Sequence, residues 1–325
     1  MKALRFRPPE IEATPELLWV FARAFGPADL PFTGDLDGPG AFALADRLDL
    51  APRIGARIAQ ATLALEVGAA AVDFRRAALA VAVQNILRIE AVQVVAALAA
   101  REGTSFALLK GLALESLRAP LPGARRTGDL DLLVPERHAR PLVRRLVANG
   151  WRACGYRDHE HHLDPLVHPD LGTIELHLKL VGVRPAGGTR SFTFDSLDGA
   201  GLLHPAPAMP ENGRVPSRAV LVAHLLVHGL VQHGLAPASY PLLRLPADLL
   251  DPGASPALLA EAAPFLRDLD DDDLSALSRL LQGLGSGLPS TLCAAAQSVD
   301  GRPDPSGVLL RHMVAGATVA AYGAA

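Results

Sequence analysis

Over the first hundred residues apolar positions recur every three or four, the spacing of helices that bury one face. Thr14-Pro15-Glu16 supplies an N-cap, a proline at the first helical position and an acid in the first turn, just ahead of LLWVFARAF. Gly26-Pro27 stops that helix, and a loop rich in Gly, Pro and Asp follows (31–40). From about Pro52 to Arg101 Ala, Leu and Val dominate, with charges spaced as on helices packed together. The pattern then changes period. Ser105 to Leu109 is a short apolar run suited to a buried strand, Gly111 punctuates it, and LALESLRA returns to helical spacing. Pro120, Pro122 and Gly123 make a loop. Asp129 to Val134 predicts a second strand. Pro135 opens a helix (ERHARPLVRRLVANG) that Gly150 closes, with Pro141 tolerated in its early turns. Thr173 to Val181 predicts a third strand.

Helix, strand, helix, strand, helix, strand is the order of an α/β (α+β) unit with a mostly covered sheet. Residues 151–172 are irregular and rich in His and Asp. Four regions are expected: 1–100 a helical N-terminal region, 101–184 the core, 185–215 a connector rich in Gly and Pro, and 216–325 a helical C-terminal domain. In the last, the run Asp268 to Asp273 suits the N-terminus of a helix, where carboxylates favour the dipole.

Composition narrows the classes. The 325 residues are 50% hydrophobic, enough for a sizeable core, and the formal net charge of -3 argues against a protein that coats long nucleic acid. Cys154 and Cys293 stand far apart and outside any CxxC, so neither a disulfide framework nor a zinc pattern is indicated. The most apolar stretch, Ala77 to Leu87, is about half the ~20 residues that cross a bilayer and is flanked by Arg75, Arg76, Arg88 and Glu90. No signal peptide is evident at the N-terminus, and a cytoplasmic protein without a membrane span is expected.

The candidate chemistry lies between Leu108 and Leu180. In a strand, residues i and i+2 share a face, so Asp129 and Asp131 point together while Leu130 and Leu132 turn to the core. Paired carboxylates repel unless a cation lies between them, and hard oxygen ligands suit Mg²⁺. Gly128 lets the backbone come close just before the acids. The same period places Glu175, His177 and Lys179 on one face of the third strand, where a carboxylate beside the acidic pair would be a third ligand or a base. In LLKG, Gly111 between strand and helix can free backbone N–H groups for a phosphate, with Lys110 adding charge. Each motif alone has a plain structural reading: a solvated strand end, an amphipathic strand, a strand-to-helix turn.

Together, Lys110-Gly111, Arg125 before Gly128-Asp129-Leu130-Asp131-Leu132-Leu133-Val134, and Glu175-Leu176-His177 resemble the bacterial family of uncharacterised nucleotidyltransferases often found in peptide and natural-product gene clusters. That family belongs to the DNA polymerase β-like superfamily. His224, His228 and Asp248-Leu249 match its His-rich helical tail and late Asp-Leu, so the resemblance runs from about Leu108 to Leu250. It implies a polymerase β-like core with a small mixed sheet between helical flanks. It also implies two Mg²⁺ ions, or Mn²⁺ in their place, held by Asp129, Asp131 and Glu175. NTP would be the substrate, with Lys110, Gly111, Arg125, Arg126, Gly128 and His177 around the nucleotide. The acceptor is a small molecule, a peptide or a protein that the sequence does not identify. One departure is Leu112, where the wider superfamily has a second small residue after the glycine. Two other readings stay open: a degenerate fold that binds a peptide or partner protein, and a DxD glycosyltransferase. His159, His161 and His162 fit either a polar loop over the site or a metal site, and His224 and His228 fit either buried packing or a ligand contact.

Overall fold

The computed structural model describes residues 14–26, 32, 35–58, 63–117, 123–155, 161–207, 209–232, 244–250, 255–266, parts of 274–282, 298–299 and 302–303. His159 and the Asp268 to Asp273 run lie outside these residues.

Four helices open the chain: α1 (Pro15–Phe25), α2 (Gly38–Arg47), α3 (Ala51–Ile58) and the short α4 (Ala64–Val67). Thr14 caps α1 as its sequence implies, its Oγ1 accepting the Leu17 N–H at 3.3 Å. Trp19 and Arg23 of α1 are both fully buried and both bind Glu66, at 2.7 and 2.9 Å to the same carboxylate oxygen, which satisfies the buried guanidinium. A long helix, α5 (Ala71–Arg101), follows and packs chiefly on α3. Phe74, Val81, Asn85, Val92 and Val95 turn into the core, while Val72, Leu79, Val83 and Ile86 remain exposed. By length and composition alone the helical stretch Ala64–Arg101 is long and apolar enough to cross a membrane, a test that the core helix of a soluble protein also passes.

The core follows: β1 (Phe106–Leu108), α6 (Lys110–Leu117), β2 (Leu130–Leu133), α7 (Glu136–Ala148), β3 (Arg152–Ala153), β4 (Leu166–His168), β5 (Gly172–His177), β6 (Lys179–Leu180), β7 (Phe192–Thr193), α8 (Phe194–Gly199), β8 (Leu203–Pro205) and β9 (Gly213–Pro216). Seven of the strands form one mixed sheet in the order β3-β4-β5-β2-β1-β9-β8. β2 runs parallel to β5 and antiparallel to β1, and β1 runs parallel to β9. This is a mixed α+β architecture, consistent with the core that the resemblance implies. Two details differ from the sequence pattern. The stretch expected as a connector contributes β8 and β9 to the main sheet, because strands of three and four residues containing Pro and Gly carry almost no alternation. The third predicted strand breaks at Leu178, so Lys179 leaves the sheet that holds Glu175 and His177 and pairs in β6–β7 instead.

After the core come α9 (Arg218–Leu226), which continues as a π-helical turn (Val227–Gln232), then α10 (Arg244–Leu250) and α11 (Pro256–Ala262), and further on a two-stranded ladder of β10 (Ser298–Val299) with β11 (Arg302–Pro303). α9 packs on α6 and on β9, so the C-terminal helices back the same end of the sheet as the site.

Candidate active site and metal centre

The register of β2 and β5 builds the site. Asp131 lies opposite Glu175 and Leu133 opposite His177, so two carboxylates sit on neighbouring rungs with an imidazole two residues on. Leu130, Leu132, Ile174 and Leu176, the alternate positions, are buried and lock that register, since a one-residue slip would exchange core for site. Asp131 is itself buried. Its Oδ1 accepts from Lys110 Nζ at 2.8 Å and from His177 Nε2 at 2.9 Å. His177 Nε2 also lies 3.6 Å from Glu175 Oε2. Asp131, Glu175 and His177 each offer a ligand atom, all within 4.8 Å of one another.

The electrostatics follow from this crowding. Burial alone would push the Asp131 carboxyl up; the Lys110 ammonium and the His177 hydrogen bond outweigh it and hold it well below the usual carboxylate range. The His177 imidazole, 3.6 Å away, likewise lowers Glu175 against its burial. Burial disfavours the protonated form of His177, but the hydrogen bond to Asp131 and the Glu175 carboxylate beside it prevail and raise it. Asp129 stands in a bend just before β2 and is exposed, not paired with Asp131 on a strand face. It is nonetheless raised, by desolvation and then by the charges of Asp131 and Glu175, which Lys110 and Arg88 only partly offset. Three carboxylates thus share one small region.

Lys110 takes an unusual backbone to reach Asp131: its φ is 45°, the left-handed region that a side chain ordinarily avoids. Gly111 beside it is needed for space. A Cβ there would collide with Arg125 Nη1 and press on Thr127 Oγ1. Arg125 in turn grips Asp248 of α10 in a two-pronged pair, Nε to Oδ1 at 2.6 Å and Nη2 to Oδ2 at 2.8 Å, with Asp248 wholly buried. Arg126 is half exposed and lies 3.8 Å from Asp49. Leu112 is buried in the core, so the departure from a small residue puts no side chain in front of α6.

Two residues were not singled out by sequence reasoning, and both come from α5. Asn85 is buried, donates from Nδ2 to the Arg125 carbonyl at 2.8 Å and accepts the Thr127 N–H on Oδ1 at 3.2 Å. Arg88, one turn on, donates from Nε to the Gly128 carbonyl at 3.1 Å and from Nη1 to the Leu171 carbonyl at 2.7 Å. One helix therefore fastens the chain just ahead of Asp129 and the turn just ahead of β5. A Cβ on Gly172, whose φ is 85°, would strike the Arg88 guanidinium. The available signal was a pair of polar residues spaced i, i+3 on an apolar helix.

Of the histidines, His162 forms an isolated bridge to His177, and the rings of His161 and His162 lie 6.1 and 5.5 Å from that of His177. His224 is buried on α9, and its Nδ1 has no hydrogen-bond partner among the described residues. Burial, then the charge of Lys110, holds it well below its ordinary value. His228 bonds Gln232 at 3.0 Å.

A family model, that of the uncharacterised nucleotidyltransferases, matches residues 36–293. The chain belongs to this family. The match includes the helical segments before and after the sheet, so α5 and α10 are part of the family's unit, not appendages to it. No curated protein matches the chain.

Proposed function

We propose that the protein is a metal-dependent nucleotidyltransferase that moves an NMP from an NTP to a nucleophile on an acceptor and releases pyrophosphate. The observation that carries this reading is the parallel register that sets Asp131 beside Glu175, with Asp129 close by and Lys110 and His177 hydrogen-bonded to Asp131. The donor set fits a divalent ion: Asp131 and Glu175 have ligand atoms close together, and the like-charge repulsion felt by Asp129 is what a cation would relieve. Asp129, Asp131 and Glu175 would hold Mg²⁺ or Mn²⁺, two ions for a full complement. Bound there, the metal supplies neutralisation for the triphosphate and for the charge that develops at the α-phosphorus.

The chain's residues supply the rest. Lys110 keeps Asp131 ionised and, with the half-exposed Arg126, contributes positive charge for phosphates. Arg125 shapes the Lys110-Gly111 turn through its pair with Asp248. As the acceptor oxygen bonds to the α-phosphorus and the bond to pyrophosphate breaks, the acceptor proton passes to Glu175, in the role of base, or to water. A net charge of -3 favours a small molecule, peptide or protein as acceptor over long nucleic acid.

The test is calorimetric titration with each of the four NTPs, with Mg²⁺ or Mn²⁺ and then with EDTA, alongside Asp131→Asn. Metal-dependent binding that the variant loses, by more than about 100-fold, is expected. A second reading draws on the two side chains already seated on Asp131: a degenerate site that binds a peptide or partner protein. Wild-type protein that binds no NTP with either metal would select it.

A further inference from the structure

We propose that His177 is itself a metal ligand, and that the centre therefore favours a first-row transition-metal dication over Mg²⁺, with Mn²⁺ the ion used to probe it. The inference uses the metal centre of the proposed function but not its nucleotide chemistry. Its starting point is position. His177 Nε2 lies 2.9 Å from Asp131 Oδ1 and 3.6 Å from Glu175 Oε2, between the two carboxylates that a shared cation would bridge. The three residues form the one group of ligand atoms within 4.8 Å found among the described residues, and Asp129 is not part of it. The backbone dictates this, since His177 is two residues beyond Glu175 on a strand whose register against β2 is fixed by buried leucines.

The chemistry of that set is mixed. Mg²⁺ demands near-ideal octahedral oxygen coordination and keeps several waters, whereas an imidazole nitrogen suits first-row transition ions. The surroundings are rich in nitrogen as well, with the rings of His161 and His162 next to that of His177. On binding, the Nε2–H bond of His177 breaks, its proton leaves to water, and the freed lone pair takes the metal. Asp131 keeps the Lys110 ammonium on Oδ1 and so remains ionised and held in place, as a ligand carboxylate requires.

The experiment is a Mn²⁺ titration followed by electron paramagnetic resonance, without nucleotide, on the full chain, with Mg²⁺ as competitor. Electron spin-echo modulation is then recorded on protein at natural abundance and on protein labelled with ¹⁵N-histidine. Mn²⁺ is expected to bind at least about tenfold more tightly than Mg²⁺. The echo should show nitrogen coupling that shifts with the histidine label and persists in His161→Gln and His162→Gln. In His177→Gln the coupling should vanish and the Mn²⁺ preference should fall towards one. Absence of nitrogen coupling, equal affinity for the two ions, no Mn²⁺ binding, or loss of the coupling in His161→Gln or His162→Gln would each overturn the assignment. If His177→Gln does not fold, the labelled wild type and the two other variants still decide it. Mn²⁺ held through His177 without NTP binding would leave this inference standing and sink the proposed function. NTP binding with Mg²⁺ and no nitrogen coupling would do the reverse.

Discussion

Two buried carboxylates, Asp131 and Asp248, are each ion-paired and have opposite characters. Around Asp131, three carboxylates crowd one mouth, one of them exposed and resisting ionisation. Around Asp248, the carboxylate is fully enclosed and both its oxygens are matched by the Arg125 fork. In the first group Lys110 and Arg88 only partly offset the repulsion on Asp129; in the second, geometry satisfies both partners. Uncompensated charge at an accessible place suits a ligand, and a satisfied pair in the interior suits a fastening. Gly111 joins the two, since its missing side chain leaves room for Arg125 while its neighbour Lys110 reaches Asp131.

Substitution should separate these roles. The largest effect is expected from Asp248→Ala, which leaves the Arg125 guanidinium without its buried partner and should cost about 3–5 kcal/mol in urea unfolding. Asp131→Asn should lose metal-dependent nucleotide binding while unfolding at a urea concentration closer to wild type, because Lys110 retains some exposure. If Asp248→Ala proves the milder of the two in unfolding, the fastening role is wrong. Next is Asn85→Ala, which strips two backbone groups ahead of Asp129 of their partner and should cost about 1–3 kcal/mol. Gly111→Ala should cost a similar ~1–3 kcal/mol through the collision with Arg125, and trimming that side chain with Arg125→Ala in the same molecule should remove the penalty.

The smallest effect is a pH slope. His224 is held well below its ordinary value of 6.5, so the folded protein keeps it neutral where the unfolded chain protonates it. The unfolded state then binds more protons, and stability falls as pH drops below about 6.5, by up to about 1.4 kcal/mol per pH unit. His224→Phe should flatten that slope in unfolding measured between pH 7 and 5. An unchanged slope would mean that the imidazole meets solvent.

What was legible in the sequence was whatever repeats locally. The DxD strand, the Glu-Leu-His strand and the capped α1 each announce themselves within ten residues, and the structure forms β2, β5 and α1 there. Adjacency across the chain was not legible. Nothing local says that Arg125 meets Asp248, 123 positions away, or that Arg88 reaches the turn before β5, 83 positions away. The bend that takes Asp129 out of the strand was hidden too, because period 2 assumes that the strand begins where the acids begin. β8 and β9 escaped notice because Gly and Pro mark loops and short edge strands alike.

The left-handed backbone at Lys110 has a consequence for how this sequence can drift. Such a conformation costs a residue with a side chain about 1–2 kcal/mol, and glycine would adopt it freely. A lineage under pressure only to fold would be drawn to glycine at this position, giving up the ammonium to relax the turn. Lysine here keeps an ammonium on Asp131 in exchange for a strained turn, and a relative with glycine at this position would have the relaxed turn without that charge.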